Sequence, residues 1–73
     1  MVKRAIKLDL EQKENELKMN LSNNYKDLAR EALVAYKQAV EDHYKAGNLK
    51  EKDYQKYSFK VQGYENSMVG YHH

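Results

Sequence analysis

Apolar residues recur at helical spacing through the middle of the chain. Between residues 25 and 44 they repeat at steps of three or four and occupy about half of a helix circumference. Lys37, Glu41 and Lys45 lie on the opposite half and form pairs of opposite charge four positions apart. Because the polar run NLSNN precedes this segment and Gly47 follows it, the pattern predicts a central helix over residues 24–46. Its apolar face consists of Tyr25, Leu28, Ala29, Ala32, Leu33, Tyr36, Ala39, Val40, His43 and Tyr44.

A second and narrower apolar stripe follows after a short connection. It predicts a third helix over residues 50–66, capped by Lys50, with Leu49 placed to pack against Tyr54. The short connection makes the second and third helices an antiparallel hairpin. Gly63 lowers the stability of the third helix by about 1 kcal/mol relative to alanine, and residues 67–73 are predicted to form a flexible tail. The stripe consists of Tyr54, Tyr57, Val61, Tyr64 and Met68.

The first segment has a thinner apolar seam. Ile6, Leu10, Leu17 and Leu21 fit a helix over residues 3–20, with a gap in the seam at Lys13–Glu14. The run AIKLDL also alternates as a strand would, but a single strand has no partner within the chain. We therefore expect a helix that packs on the hairpin or pairs with another chain. Together the segments predict an all-α domain of three helices, covering residues 1–73.

Length and composition limit the classes of protein to consider. The chain has 73 residues and no cysteine, so disulfides and thiolate-bound metals are excluded. No apolar run reaches the ~18–20 residues that span a bilayer, and we expect a cytoplasmic protein with no membrane partner. The net charge of +2 is too balanced to require nucleic acid. A domain of this size buries only about 60% of its unfolded surface, which favours self-association or partner binding.

Residues with catalytic or metal-binding potential do not form a recognisable site. His43 lies at the centre of the apolar face and is expected to be a core-edge histidine bonded to a tyrosine hydroxyl or a backbone carbonyl. His72 and His73 end the chain and fall short of the four fixed ligands of a structural metal site. The carboxylate pairs Glu14–Glu16 and Glu41–Asp42 do not share a helix face. We therefore predict no enzyme activity, no cofactor, no metal and no small-molecule substrate.

One aromatic residue departs from the core pattern. Phe59 lies nearly opposite the stripe of the third helix and shares its face with lysines. Single exposed apolar residues are common, so one interpretation is that the ring simply stays in contact with water. The alternatives are coverage by a second copy or the first helix, by a protein partner with Phe59 as its anchor, or by single-stranded nucleic acid stacked on the ring. Val34 is similarly displaced on the second helix, which favours a protein partner.

The pattern as a whole predicts a small, non-enzymatic regulatory protein that occupies the surface of a partner protein and forms a homodimer. The composition, rich in Lys, Asn and Tyr, resembles that of small proteins from AT-rich bacteria and their phages. This resemblance implies an inhibitor or regulator encoded by a phage or mobile element. The predicted partner-binding residues are Phe59, Lys52, Lys56, Lys60 and Val34. The alternative is a nucleic-acid-binding regulator that uses Lys3, Arg4, Lys7, Lys56 and Lys60; a helix-turn-helix fits poorly, because Asp53 would repel phosphates.

Overall fold

Three α-helices make up the part of the chain described by the computed structural model, which covers residues 2–68. Helix α1 spans Arg4–Ser22, α2 spans Lys26–Lys45 and α3 spans Glu51–Ser67. No strand occurs in residues 2–68. The predicted all-α class is confirmed, and the strand alternative for the first segment is wrong because AIKLDL lies inside α1.

In both connections a residue in the left-handed conformation ends the preceding helix. After α1, Asn24 has φ 61° and Tyr25 N–H donates to the Asn20 carbonyl at 2.9 Å. After α2, Gly47 has φ 81° and Asn48 N–H donates to the His43 carbonyl at 2.8 Å. These bonds satisfy carbonyls that a helix end otherwise leaves unpaired. The tight turns make α2 antiparallel to both neighbours, so α1 and α3 run parallel to each other.

The core is built around α2, as its wide apolar face predicts. Two helices share this face, and Leu10 and Leu17 of α1 are fully buried against it. The thin seam is therefore sufficient to seat α1 on the hairpin. Two predicted face residues near the start of α2, Tyr25 and Leu28, are more than half exposed, because the neighbouring helices do not cover the full width of the face. The buried residues of α2 are Ala29, Ala32, Leu33, Tyr36, Ala39 and Val40.

Helix α3 begins and ends with buried apolar residues. Leu49 is buried immediately before the N-cap Lys50, and Tyr54 packs against the core, as the predicted staple requires. At the other end the helix includes Ser67, and Met68 is only 3% exposed. The tail predicted for 67–73 therefore begins too early, because Met68 continues the apolar stripe into the core. Residues 69–73 lie outside the described part of the chain.

Candidate functional site

Phe59 projects from the solvent side of α3. Its side chain is 77% exposed, more than that of any other large apolar residue in the described chain. The cause is its phase on the helix, since Val61 of the same helix is buried against α2. The predicted exposure of Phe59 is confirmed.

A shallow groove between α1 and α3 borders the Phe59 ring. Gly63 lies one turn along α3, and a Cβ built there meets no atom within 4 Å, so the backbone beside the ring is open. Glu14 lines the groove on the α1 side. A partner side chain can therefore reach the edge of Phe59 as well as its face. The groove is lined by Glu14, Phe59, Lys60, Gly63, Tyr64 and Ser67.

The predicted lysines around Phe59 differ in their environment. Lys52 and Lys56 are exposed. Lys60 is partly buried, with its Nζ 3.4 Å from Glu14 Oε1 and 5.7 Å from the centre of the Tyr57 ring. If Lys60 bound a partner, these contacts would have to break, and their loss would offset part of the binding free energy. We therefore define the Phe59 surface as Phe59 and Gly63 with the flanking Lys52 and Lys56.

Val34 is exposed but is not brought to the Phe59 surface. It is 63% exposed and lines a different groove, between α2 and α3, whose apolar floor includes Leu33 and Met68. The Phe59 groove instead lies between α1 and α3. Phe59 and Val34, which the sequence predicts to share one partner-binding surface, therefore line separate grooves.

Three of the five basic residues of the alternative nucleic-acid site lie at one end of the molecule. Lys3 is the N-cap of α1, and Arg4 and Lys7 are exposed within its first two turns. Because α1 and α3 run parallel, Lys56 in the first half of α3 lies towards this end, whereas Lys60 lies farther along α3 and pairs with Glu14 at 3.4 Å. No acidic residue occupies the first turn of α1, so three cations adjoin the positive end of its dipole.

Glu14 is a buried carboxylate at the gap in the apolar seam of α1. The residue is 8% exposed, and its Oε2 accepts a 2.7 Å hydrogen bond from the Tyr64 hydroxyl. Lys60 and Lys18 lie 3.4 and 3.8 Å from its two oxygens. Burial acts to raise the pKa of Glu14, but the hydroxyl and the two lysines outweigh it and hold the pKa below 4.5. A charged residue at a seam position was the available signal.

A second tyrosine adjoins this carboxylate without bonding to it. Tyr36 is fully buried in α2, its ring packs edge-on against Tyr64 at 6.4 Å, and its hydroxyl has no hydrogen-bond partner in the described part of the chain. Burial, followed by the charge of Glu14, raises the pKa of Tyr36. The two hydroxyls are therefore unequal: that of Tyr64 compensates a buried charge, and that of Tyr36 compensates nothing.

His43 is held between two side chains that its own helix does not supply. Its Nε2 lies 2.8 Å from Asp9 Oδ2, and its Nδ1 lies 3.2 Å from the Asn48 amide nitrogen. A neutral ring that donates from Nε2 and accepts at Nδ1 satisfies both contacts. The expected tyrosine or carbonyl partner is wrong, because α1 brings a carboxylate to this site. Since both ring nitrogens are engaged, the arrangement joins α1, α2 and the following turn.

The described residues contain no cluster of three or more histidine or acidic side chains arranged to hold a metal ion. None of the described helices has the length and apolar character needed to cross a bilayer. The chain matches no protein-family model, no curated protein and no solved structure. Its function must therefore be argued from the surfaces described above.

Proposed function

We propose that the protein binds another protein through the Phe59 surface and acts by occupying that partner's surface. The observation that carries the proposal is the 77% exposure of Phe59. Moving a phenylalanine from water into an apolar pocket contributes about 1.5–3 kcal/mol. Aromatic anchors of this kind account for much of the affinity of protein interfaces when a polar rim surrounds them.

The surroundings of Phe59 define the chemistry of the partner. Lys56 lies three residues before Phe59 and Lys52 four before that, so both follow the same line along α3. Gly63 continues this line and leaves open space. The complementary surface is an apolar pocket flanked on one side by carboxylates. The charge pairs steer association, while the buried ring sets the rate of dissociation.

A second candidate is nucleic-acid binding, which the position of Lys3, Arg4 and Lys7 supports. They adjoin the positive end of α1, where phosphate contacts are favoured. The first turn of α3 at the same end carries Glu51 and Asp53, whose charges oppose a phosphate backbone. We therefore place this candidate second.

The test compares affinity capture with four baits: the unchanged chain, Phe59→Ala, Lys56→Gln and Val34→Ala. All three replaced side chains are exposed, so the fold is expected to survive and circular dichroism checks this. A partner of the Phe59 surface is retained by Val34→Ala and lost by Phe59→Ala. With the purified partner, Phe59→Ala is expected to weaken binding about tenfold or more, and Lys56→Gln mainly to slow association.

The same proteins separate the two candidates when anisotropy is measured on labelled DNA and RNA. Binding that falls steeply with salt and is weakened by replacing Lys3, Arg4 and Lys7 with glutamine, but not by Phe59→Ala, identifies the nucleic-acid role. If Phe59→Ala leaves every protein association unchanged, the proposed role of the Phe59 surface is wrong.

A further inference from the structure

Helix α1 has a second seam on the face turned away from α2. Six residues repeat at alternating steps of three and four along this face, and all six are exposed. Leu8 is 52% and Met19 62% exposed. None of the six is charged, although a third of the chain is. The outer seam consists of Ala5, Leu8, Gln12, Asn15, Met19 and Ser22.

The outer seam is distinct from the one that seats α1 in the fold. Leu8 and the fully buried Leu17 are nine residues apart, which is half a turn out of phase on a helix. A helix that packs on one side of a small domain needs only one apolar stripe. Folding of a single chain therefore explains the inner seam, which consists of Ile6, Leu10, Leu17 and Leu21, and leaves the outer seam without a partner.

The spacing of the outer seam suits another helix of the same kind. Alternating steps of three and four are the a and d positions of a coiled coil. When two copies of α1 are laid antiparallel about a twofold axis between Gln12 and Asn15, the seam is complementary to itself. Leu8 then meets Met19 of the second copy, and Gln12 meets Asn15, so two amide pairs lie between two apolar layers.

The charges beside the outer seam favour the antiparallel direction. Glu11 and Lys18 flank it on one side, and in an antiparallel pair each Glu11 faces Lys18 of the second copy. In a parallel pair Glu11 faces Glu16 instead, and the like charges repel, while Arg4 faces Asp9. On the other flank the antiparallel pair brings Asp9 towards Glu16. Asp9 contributes little in either direction, because it is already bound within the chain by Lys13 at 2.7 Å and by His43 at 2.8 Å.

We propose that the outer seam of α1 is a self-association surface that pairs two copies of the chain antiparallel through α1. The seam contains only two large apolar residues, so the contact is smaller than a standard interface and we expect a weak dimer, with a Kd on the order of micromolar. The Phe59 surface lies on α3 and contributes no residue to the seam. The two proposals therefore stand or fall separately.

The experiment is sedimentation velocity over a range of protein concentrations, with charge variants at the flanks. Glu11→Lys and Lys18→Glu alone each place like charges opposite one another and are expected to weaken self-association roughly tenfold. Because Lys18 also lies 3.8 Å from Glu14 Oε2, circular dichroism first checks that each variant keeps the fold. The double variant keeps the net charge of the original chain and restores it. An equimolar mixture of the two single variants forms a heterodimer more tightly than either variant pairs with itself.

A cross-link gives an independent readout of direction, because the chain contains no cysteine. In the antiparallel pair Ala5→Cys of one copy oxidises with Ser22→Cys of another, whereas in a parallel pair each variant cross-links to itself. Tighter self-association of Glu11→Lys would show a parallel pair and overturn the proposal. A chain that is monomeric at every concentration, or a dimer that neither charge change alters, would overturn it as well.

Discussion

Two tyrosine hydroxyls near Glu14 give a matched pair of perturbations. Tyr64→Phe and Tyr36→Phe each remove one oxygen from rings whose centres are 6.4 Å apart. The Tyr64 hydroxyl donates to a buried carboxylate at 2.7 Å, whereas the Tyr36 hydroxyl is buried without a partner among residues 2–68. We expect opposite signs: Tyr64→Phe destabilises the fold and Tyr36→Phe stabilises it.

The size of each change in unfolding free energy follows from what each hydroxyl contributes to stability. A hydrogen bond to a charged group contributes about 1.5–3 kcal/mol to stability, and the side chain of Glu14 is only 10% exposed, so little water replaces it. Tyr64→Phe should therefore cost about 2 kcal/mol. A buried hydroxyl without a partner costs about 1–3 kcal/mol, and since Tyr36→Phe also leaves a small void, we expect a net gain of about 1 kcal/mol.

The pH dependence identifies Glu14 as the origin of the Tyr64 effect. The pKa of Glu14 is lower in the folded chain than the ordinary 4.5. Its stabilising contribution is therefore complete above that pH and is lost as the pH falls through the lowered pKa. Without the Tyr64 hydroxyl the pKa of Glu14 rises. The difference in unfolding free energy between the original chain and Tyr64→Phe should be largest near neutral pH and shrink in acid.

The assay is urea unfolding followed by circular dichroism, near neutral pH and again below the ordinary pKa of a glutamate. Equal m-values would show that the variants unfold from comparably compact states. If Tyr36→Phe destabilised the chain as much as Tyr64→Phe, the Tyr36 hydroxyl would have a partner, and the assigned asymmetry would be wrong. A Tyr64 effect that did not change with pH would exclude Glu14 as its origin.

Two further predictions use unfolding free energies measured in the same way. Gly63→Ala should stabilise the chain by about 0.5–1 kcal/mol, and Gly47→Ala should destabilise it by about 1 kcal/mol or more. Both sites have room for a Cβ, but only Gly47 has a positive φ. Changes of the same sign in the two unfolding free energies would contradict this. Asp9→Asn should cost less than about 1 kcal/mol, because the carboxylate is more than a third exposed. The hydrogen bond from His43 and then that from Lys13 hold the pKa of Asp9 below 3.8. The loss of stability caused by Asp9→Asn should therefore be full above that pH and vanish as the pH falls through the lowered pKa. A loss of stability that persists in acid would refute this assignment.

The helices were predictable because local chemistry sets them. The period of the apolar residues and the stop at Gly47 depend only on neighbours within a turn or two, and each helix begins and ends within two residues of its predicted bounds. The exposure of Phe59 follows from the same phase argument. The predicted tail starts at residue 67 and so includes the buried Met68, because this residue is retained by tertiary burial rather than by helix propensity.

The polar contacts between helices were not predictable in the same way. Asp9 and His43 are 34 positions apart, and Glu14 and Tyr64 are 50 apart. Helix phase can place each residue on a face, but the pairing depends on how α1 is shifted and rotated on the hairpin. The richness in tyrosine was a partial signal, since a buried tyrosine hydroxyl needs an acceptor, and Tyr54 also donates to Glu41 at 2.7 Å.

The buried carboxylate has a consequence for how α1 is oriented. This helix has two seams, and rotation by half a turn would present Leu8 and Met19 to the hairpin in place of Leu10 and Leu17. The same rotation would carry Glu14 away from Tyr64 and break its 2.7 Å bond. A buried polar pair that only one arrangement satisfies penalises the other. Glu14 thus selects the inner seam for the fold, and the outer seam remains available to a second chain.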